Sequence, residues 1–178
     1  CTEAKIVDGE GHEVARGTVG EIIVRGPNVM QGYWNKPELT AAALRDGWMH
    51  TGDGGRMDEE GFVTVVDRIK DMIKTGGENV FSAEVENALA KHPAVMVSAV
   101  IAIPSEQWGE AVHAVVVRAA GQDVSAEELI AHCKSLIAGY KSPSSIEFVN
   151  ALPMTGAGKI LKTRLREPFW QGRERKVA

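Results

Sequence analysis

The chain has 178 residues, of which 44% are hydrophobic and 25% are charged, an ordinary composition for a globular protein of one domain or two small ones. Its formal net charge of −4 argues against non-specific binding to nucleic acid. Two cysteines, Cys1 and Cys133, give no disulfide framework, and neither a membrane-spanning apolar stretch nor a signal peptide is visible. We therefore expect a cytoplasmic protein. Because the chain begins with Cys1 rather than methionine, inside a predicted strand, we also expect a piece of a longer protein.

The first third of the chain is predicted to be β structure. Strand-like runs occur at residues 4–7, 19–25 and 62–66. A short helix is expected between the second and third strands, with Asn35 as its N-cap and Pro37 in its first turn. The segment 47–53, which contains Thr51-Gly52-Asp53, is interpreted as a polar turn.

From residue 67 onward the pattern changes to an alternation of helices and strands. The charged segment 67–71 comes first and is followed by a glycine loop. Ser82 is expected to cap one helix, and Ser125, which forms a capping box with Glu128, is expected to cap another. Gly139 is expected at the C′ position that follows the second of these helices. Apolar runs predict strands at residues 95–103, 111–117 and 146–149.

Together these elements predict an α+β fold class. A β-rich piece, residues 1–68, is expected to precede a small α+β domain, residues 69–178, built of antiparallel strands backed by helices. The boundary is expected near residues 67–71, where the composition changes.

Two polar segments are candidates for chemistry. In Thr51-Gly52-Asp53, a carboxylate on a tight turn could accept two hydrogen bonds from a vicinal diol such as that of ribose. Taken alone, the pattern favours an aspartate that only stabilises its own turn. The segment Asp67-Arg68-Ile69-Lys70-Asp71 fits a solvated linker as well as a functional hinge. The rigid fork of donors on Arg68 suits ribose hydroxyls or phosphate.

The third candidate is a loop that presents Lys159 after Gly156-Ala157-Gly158. Its ammonium suits an anionic substrate, although a lone surface lysine in a soft loop has the same pattern. It is not a Walker lysine, because Pro153 stands where that motif begins with glycine and Ile160 replaces the serine or threonine. Nor does Gly76-Gly77, within the glycine loop 74–79, match the dinucleotide spacing G-x-G-x-x-G.

A run of basic residues follows this loop. It is typical of a solvated helix face or tail, and a phosphate-bearing ligand is the alternative interpretation. Its members are Lys162, Arg164, Arg166, Arg173 and Arg175.

The order and spacing of these segments together closely resemble the adenylate-forming superfamily of acyl-CoA synthetases, peptide-synthetase adenylation domains and firefly-type luciferases. Within it, the pattern is most similar to a fatty-acyl-CoA or 4-coumarate-type CoA ligase. One departure is Gly54-Gly55 after Asp53, where an apolar and then a small residue are usual. The matching segments are Gly47-Trp48, Thr51-Gly52-Asp53, Gly61-Phe62, Asp67 to Val80, Glu84-Val85-Glu86, Ser105 to Glu110, Tyr140 to Pro143 and Pro153 to Ile160.

The resemblance implies that residues 1–68 are the last β subdomain of an AMP-binding domain and that residues 69–178 are a C-terminal lid. It implies a two-step reaction, in which a carboxylic acid and ATP form acyl-AMP and pyrophosphate and the acyl group then passes to CoA. Asp53 and Arg68 would bind the ribose hydroxyls, and Lys159 would reach the substrate carboxylate and the α-phosphate.

The remaining site residues are also implied by the resemblance. Lys70 would be the hinge between the two steps, and Gly76 and Gly77 would line the tunnel for the pantetheine arm of CoA. Lys74 and Asn79 would lie near the nucleotide. No metal ligand is assigned here, because the residues that help to hold Mg²⁺ are expected upstream of this chain.

Other interpretations stay open. Glu84 and Glu86 match an acidic pair of the family, but the first turn of a helix favours carboxylates equally. The parent could be an adenylation domain that loads a carrier protein, or the chain could be a non-catalytic folded module. Because the phosphate loop and the acyl pocket of the family are not in this sequence, we expect no ligase activity from the chain alone.

Overall fold

A computed structural model describes residues 1–172 and confirms the predicted α+β class. The backbone separates into two compact units, the first of which is Cys1–Lys70 and the second of which begins at Asp71. No helix within residues 1–172 combines the length and the apolar character needed to cross a membrane.

The first unit is a five-stranded antiparallel sheet in the order β1-β2-β4-β3, with β5 also paired to β4. The buried side chains of Ile6, Ile22 and Met57 form its core. A short helix, α1 (Pro37–Ala43), precedes β3. The strands are β1 (Glu3–Val7), β2 (Gly20–Arg25), β3 (Leu44–Arg45), β4 (Trp48–Met57) and β5 (Val63–Arg68).

Two local predictions for this unit are wrong. The expected turn at 47–53 is largely strand, because β4 pairs with β2 on one side and β5 on the other. The register with β2 shifts opposite Ile22, and Gly52 adopts a φ of +70° there. The N-cap of α1 is Lys36 rather than Asn35, which itself has a φ of +52°.

Close packing within the sheet accounts for the unusual Gly54-Gly55 pair. A Cβ atom at Gly55 would lie 2.6 Å from the Ile22 side chain and 2.8 Å from the Thr64 carbonyl oxygen. Both distances are below van der Waals contact, so this packing requires Gly55. A Cβ at Gly54 would lie 3.2 Å from the Ile69 side chain, closer than an ordinary contact, so Ile69 would have to move slightly.

The second unit contains another five-stranded sheet, with the order β10-β9-β6-β7 and β8 paired to β9. Short 3-10 helices lie at Ile69–Asp71 and Gly139–Lys141. The strands are β6 (Ile73–Thr75), β7 (Glu78–Val80), β8 (Val95–Ser105), β9 (Gly109–Arg118) and β10 (Ser145–Phe148). The helices are α2 (Ser82–Ala90), α3 (Ala126–Leu136) and α4 (Lys162–Trp170).

Both faces of β8 and β9 are buried, which explains why their sequences read as continuous apolar runs. On one face, alternate residues such as Val100 and Val116 pack with α2 and α3 around Leu89 and Leu129. On the other face, a smaller group, which we call the loop-side cluster, contains eight side chains. They are Val97, Ala99, Val115, Val117, Val149, Leu152, Ile160 and Leu165.

The structure corrects three further expectations for this unit. The strand β10 runs parallel to β9, because the connection between them passes through α3. The N-cap of α2 is Phe81, and Ser82 instead accepts a hydrogen bond from Lys162 Nζ. The helix α3 ends at Leu136, and Gly139 begins a 3-10 turn.

One capping prediction is confirmed at the start of α3. The Ser125 hydroxyl accepts from the Glu128 N–H at 3.2 Å, and the Glu128 carboxylate accepts from the Ser125 N–H at 2.8 Å. The hydrogen bond that the Ser125 N–H donates to the carboxylate, and a second one from the Ser125 side chain, hold the pKa of Glu128 below its usual value.

Candidate active site

In the first unit, Asp53 and Arg68 lie directly opposite each other on β4 and β5. Arg68 Nε and Asp53 Oδ1 are 2.8 Å apart, and the two side chains remain 54% and 35% exposed. One N–H of the guanidinium is used in this contact, which leaves further donors and the second carboxylate oxygen for a ligand. The pair offers donors and an acceptor side by side, as recognition of a diol requires.

The backbone before Asp53 is held by a partly buried hydrogen-bond network that the motif did not indicate. Glu21 Oε1 accepts from the Gly52 N–H at 3.1 Å, and Glu21 Oε2 lies 2.7 Å from His50 Nδ1. The Thr51 hydroxyl donates to the Ile22 carbonyl and accepts from the Asp53 N–H at 3.0 Å. Glu21 is 29 residues from His50 along the chain, so only strand pairing reveals its part in the site.

The predicted hinge residue, Lys70, is exposed and lies in the 3-10 turn where the first unit ends. Its neighbour, Asp71, is the first residue of the second unit and is buried. Arg166 Nη2 of α4 lies 3.0 Å from Asp71 Oδ1, and both side chains are only 11% exposed. This ion pair attaches the start of the second unit to α4.

The predicted glycine loop is in fact a β-hairpin. Gly76 and Gly77 form a two-residue connection between β6 and β7, with φ values of +58° and +87°. Two consecutive positive φ values are typical of the type I′ turn, which glycine adopts without strain. Lys74 and Asn79 lie opposite each other across this hairpin. The Lys74 backbone N–H donates to the buried Glu110 carboxylate at 2.8 Å.

A cleft of about 350 Å³ lies beside the hairpin, within the second unit. Trp108 forms part of it and contacts Gly76 so closely that a Cβ there would lie 2.9 Å from the indole ring. The motif included Trp108, but the sequence did not indicate its contact with Gly76. The other lining residues are Thr75, Glu78, Ala111, Val112, Lys134, Gly139, Tyr140, Ser142, Pro143 and Ser144.

Replacing Gly76 with alanine is expected to lower the free energy of unfolding of the second unit by about 1–2 kcal/mol, since an L-residue is strained at positive φ. The new Cβ would also displace Trp108. Urea unfolding of the 178-residue chain measures this change. Gly139→Ala is the matched control, because Gly139 has no positive φ and its Cβ would meet no atom within 4 Å. Equal stability of Gly76→Ala and the unaltered chain would contradict the expectation.

Lys159 is exposed on a loop whose two ends are fixed. Leu152 before the loop is buried, and Ile160 after it packs into the same loop-side cluster. The Leu161 N–H donates to the Pro153 carbonyl at 2.8 Å and closes the base of the loop. Of the two glycines around Ala157, only Gly158 has a positive φ, at +77°. The Lys159 ammonium forms no salt bridge with any residue of the described part of the chain.

The acidic pair of α2 is engaged by lysines of the same unit. Glu84 accepts two hydrogen bonds from Lys141 Nζ, at 2.8 and 2.9 Å, which raise the pKa of Lys141. Glu86 Oε1 lies 2.7 Å from Lys162 Nζ and accepts from the Val100 N–H at the same distance. Both carboxylates therefore hold the fold together.

These contacts also correct the interpretation of the basic run as a solvated face. Lys162 and Arg166 are paired with acidic residues, whereas Arg164 is exposed. Arg173 and Arg175 lie outside the described residues.

Side chains that could bind a metal, and the buried thiol of Cys133, are further candidates for chemistry. Within residues 1–172, no three His, Cys, Asp or Glu side chains are grouped so that they could hold a metal ion. Burial raises the pKa of the Cys133 thiol to about 11, so this side chain stays protonated at neutral pH as part of the core.

Two family models match the chain. The model of the AMP-binding enzyme C-terminal domain matches residues 84–159, and the model of the AMP-binding enzyme matches residues 1–34. A feruloyl-CoA synthase of Amycolatopsis sp is 51% identical over 168 residues, which are 94% of this chain and 34% of that protein. The fatty acid–[acyl-carrier-protein] ligase ScoC of Streptomyces coeruleorubidus is 47% identical over 98% of this chain and 34% of its own length.

The chain is also similar in fold and sequence to proteins of known structure. The crystal structure of ATP-bound MatB from Rhodopseudomonas palustris superimposes with a TM-score of 0.87 at 40% identity, over 94% of this chain and 34% of that one. The chain thus spans about a third of the length of the relatives that it matches.

These matches show that the chain belongs to the adenylate-forming family of AMP-binding enzymes. Within that family it corresponds to a C-terminal portion, as the motifs predicted.

Proposed function

We propose that this chain forms the C-terminal third of an ATP-dependent acid–thiol ligase. In the first step, a carboxylate oxygen of the substrate attacks the α-phosphorus of ATP, and pyrophosphate leaves to give acyl-AMP. In the second step, a thiol attacks the acyl carbonyl, loses its proton and displaces AMP. The names of the relatives, a feruloyl-CoA synthase and a fatty acid ligase among them, support this reaction class.

The observation that carries the proposal is the exposed ammonium of Lys159 on a loop with fixed ends. Negative charge increases around the α-phosphate as the carboxylate attacks it. An ammonium held in place near that charge stabilises the transition state more than the ground state. We assign Lys159 to this first step.

The nucleotide is proposed to be held by other side chains. Asp53 accepts hydrogen bonds from the ribose hydroxyls, and Arg68, ion-paired with Asp53, donates to the same group. Lys74 and Asn79, which lie opposite each other on the hairpin, are assigned to the nucleotide as well. Lys70, at the end of the first unit, is assigned as the hinge residue between the two steps.

CoA is proposed as the acceptor of the acyl group. Gly77 leaves its side of the turn open, because it carries no Cβ and no other atom lies within 4 Å of where one would be, so a pantetheine arm can approach the backbone there. The adjoining cleft of about 350 Å³ has the volume of a small-ligand site. A carrier protein with a pantetheine thiol is the second candidate acceptor. The similarity of the chain to a fatty acid–[acyl-carrier-protein] ligase supports this candidate.

The full-length protein that carries this chain tests the proposal. Pyrophosphate release is measured with ATP, Mg²⁺ and a panel of aromatic, medium-chain and long-chain carboxylic acids. CoA and a pantetheine-loaded carrier protein are then offered separately as acceptors. We expect pyrophosphate release with at least one acid and thioester formation with CoA. Thioester formation with the carrier protein alone would replace CoA as the acceptor, and no release with any acid would refute the ligase assignment.

The 178-residue chain by itself is expected to form no acyl-AMP, since the resemblance assigns the phosphate loop and the acyl pocket to sequence that it does not contain. Acyl-AMP formation by the purified chain, under conditions in which the full-length protein is active, would contradict this expectation.

A further inference from the structure

The Lys159 loop is organised around one side chain near its start, Thr155. The Thr155 N–H donates to the Lys159 carbonyl at 2.8 Å, and the Thr155 carbonyl accepts from the Gly158 N–H at 2.9 Å. The Thr155 hydroxyl accepts from the Lys159 N–H at 3.1 Å. Both the N–H and the carbonyl of Lys159 are therefore bonded to the same residue.

The hydrogen bond to the Thr155 hydroxyl holds a group of Lys159 that the backbone bonds do not hold. An isolated bridge pairs Met154 with Ile160, so the strand-like ends of the loop are already aligned. Between them, the chain passes through a turn closed by the Gly158–Thr155 bond. The Thr155 N–H holds the Lys159 carbonyl, and the Thr155 hydroxyl holds the Lys159 N–H. With both sides held, the direction in which the Lys159 side chain leaves the backbone is determined.

We propose that Thr155 is a positioning residue for the first step, whose hydroxyl aims Lys159 at the reacting phosphate. The inference rests on the proposed function, because it requires Lys159 to act in adenylation. Thr155 is half-buried and is assigned no contact with substrate. It acts only through the lysine, and a displacement of a charged group by about 1 Å is enough to cost about 100-fold in rate.

Two substitutions in the full-length protein separate the hydroxyl from the volume of the side chain. Thr155→Val keeps the branched shape and removes the acceptor, whereas Thr155→Ser keeps the acceptor and removes a methyl group. We expect Thr155→Val to lower kcat for pyrophosphate release by about 10- to 100-fold with little change in KM for ATP. Thr155→Ser is expected to stay within about threefold of the unaltered enzyme, since its hydroxyl makes the same bond.

A second measurement excludes a merely structural effect. Thioester formation from supplied acyl-AMP should be unchanged in Thr155→Val, because the second step does not use Lys159 in the proposed scheme. The double variant Thr155→Val/Lys159→Ala should be no slower in adenylation than Lys159→Ala alone, because a residue that only positions the lysine has nothing left to position.

The outcomes distinguish the inference from the function on which it rests. If Lys159→Ala itself leaves pyrophosphate release unchanged, the assigned function of the loop fails and the inference with it. If Lys159→Ala is impaired while Thr155→Val is as active as Thr155→Ser, the function stands and the positioning role is overturned. Equal losses of both half-reactions in Thr155→Val, or additive losses in the double variant, would also overturn it.

Discussion

Replacing Lys159 with alanine in the full-length protein is expected to slow acyl-AMP formation by about 10²–10³-fold, the usual cost of removing a positioned group that stabilises developing charge. The effect should fall on the first step alone. The proposed scheme uses Lys159 in the first step alone, so the second step, in which a thiol attacks the acyl carbonyl and AMP leaves, is expected to keep most of its rate. The exposed position of Lys159 makes a general folding defect an inadequate explanation for such a loss.

The two half-reactions are measured separately for this test. Pyrophosphate release reports the first step, and thioester formation from chemically supplied acyl-AMP reports the second. Lys91→Ala is the matched control, because Lys91 is an exposed lysine of the same unit that lies at the end of α2, away from the loop in sequence. Equal losses in both steps, or an equal loss in Lys91→Ala, would count against the assignment of Lys159.

Replacing Arg166 with methionine is expected to lower the free energy of unfolding of the second unit by about 3–5 kcal/mol. The variant leaves the Asp71 carboxylate without its cation at a site where that side chain is only 11% exposed. A buried charge without a partner loses its hydration and gains nothing in return. The loss is therefore much larger than that of a surface ion pair, which contributes about 0–1 kcal/mol.

Urea unfolding of the 178-residue chain, followed by circular dichroism, measures this change, and the transition of the second unit is the one to compare. Arg164→Met on the same helix is the control, because Arg164 is exposed. In the double variant Arg166→Met/Asp71→Leu, the unpaired charge is gone, so most of the stability should return. Similar decreases in the free energy of unfolding for Arg164→Met and Arg166→Met would show that the buried ion pair contributes no more to stability than an exposed arginine does.

Short-range patterns in the sequence were reliable where a few neighbouring residues determine the structure. The Ser125 capping box is such a case, since its two bonds join residues three positions apart. The apolar runs that became β8 and β9 are another, because both faces of these strands are buried. Gly76-Gly77 was predicted to lie in a loop rather than in a hairpin, although two adjacent glycines between strands are a known signal for a hairpin.

Long-range pairing explains the predictions that were wrong. The segment around Asp53 has the residues of a turn, but two neighbouring strands extend it into β4. Ser82 looks like a helix cap, but a lysine 80 residues away takes its hydroxyl as an acceptor. The basic run looks solvated, but Lys162 and Arg166 find carboxylates on distant elements. A local propensity of a few tenths of a kcal/mol to about 1 kcal/mol is easily outweighed by such contacts.

The sequence by itself therefore determined the α+β class, the family and the residues that are candidates for its chemistry, because these depend on composition and on motif order along the chain. The functional roles of those residues stay predictions. Only the tertiary structure decided that Asp53 and Arg68 are ion-paired, that Glu21 supports them, and that the Lys159 peptide is held by Thr155. The first two relations arise from strand register, and the last arises from a turn whose ends are fixed by packing, so none can be read from residue types alone.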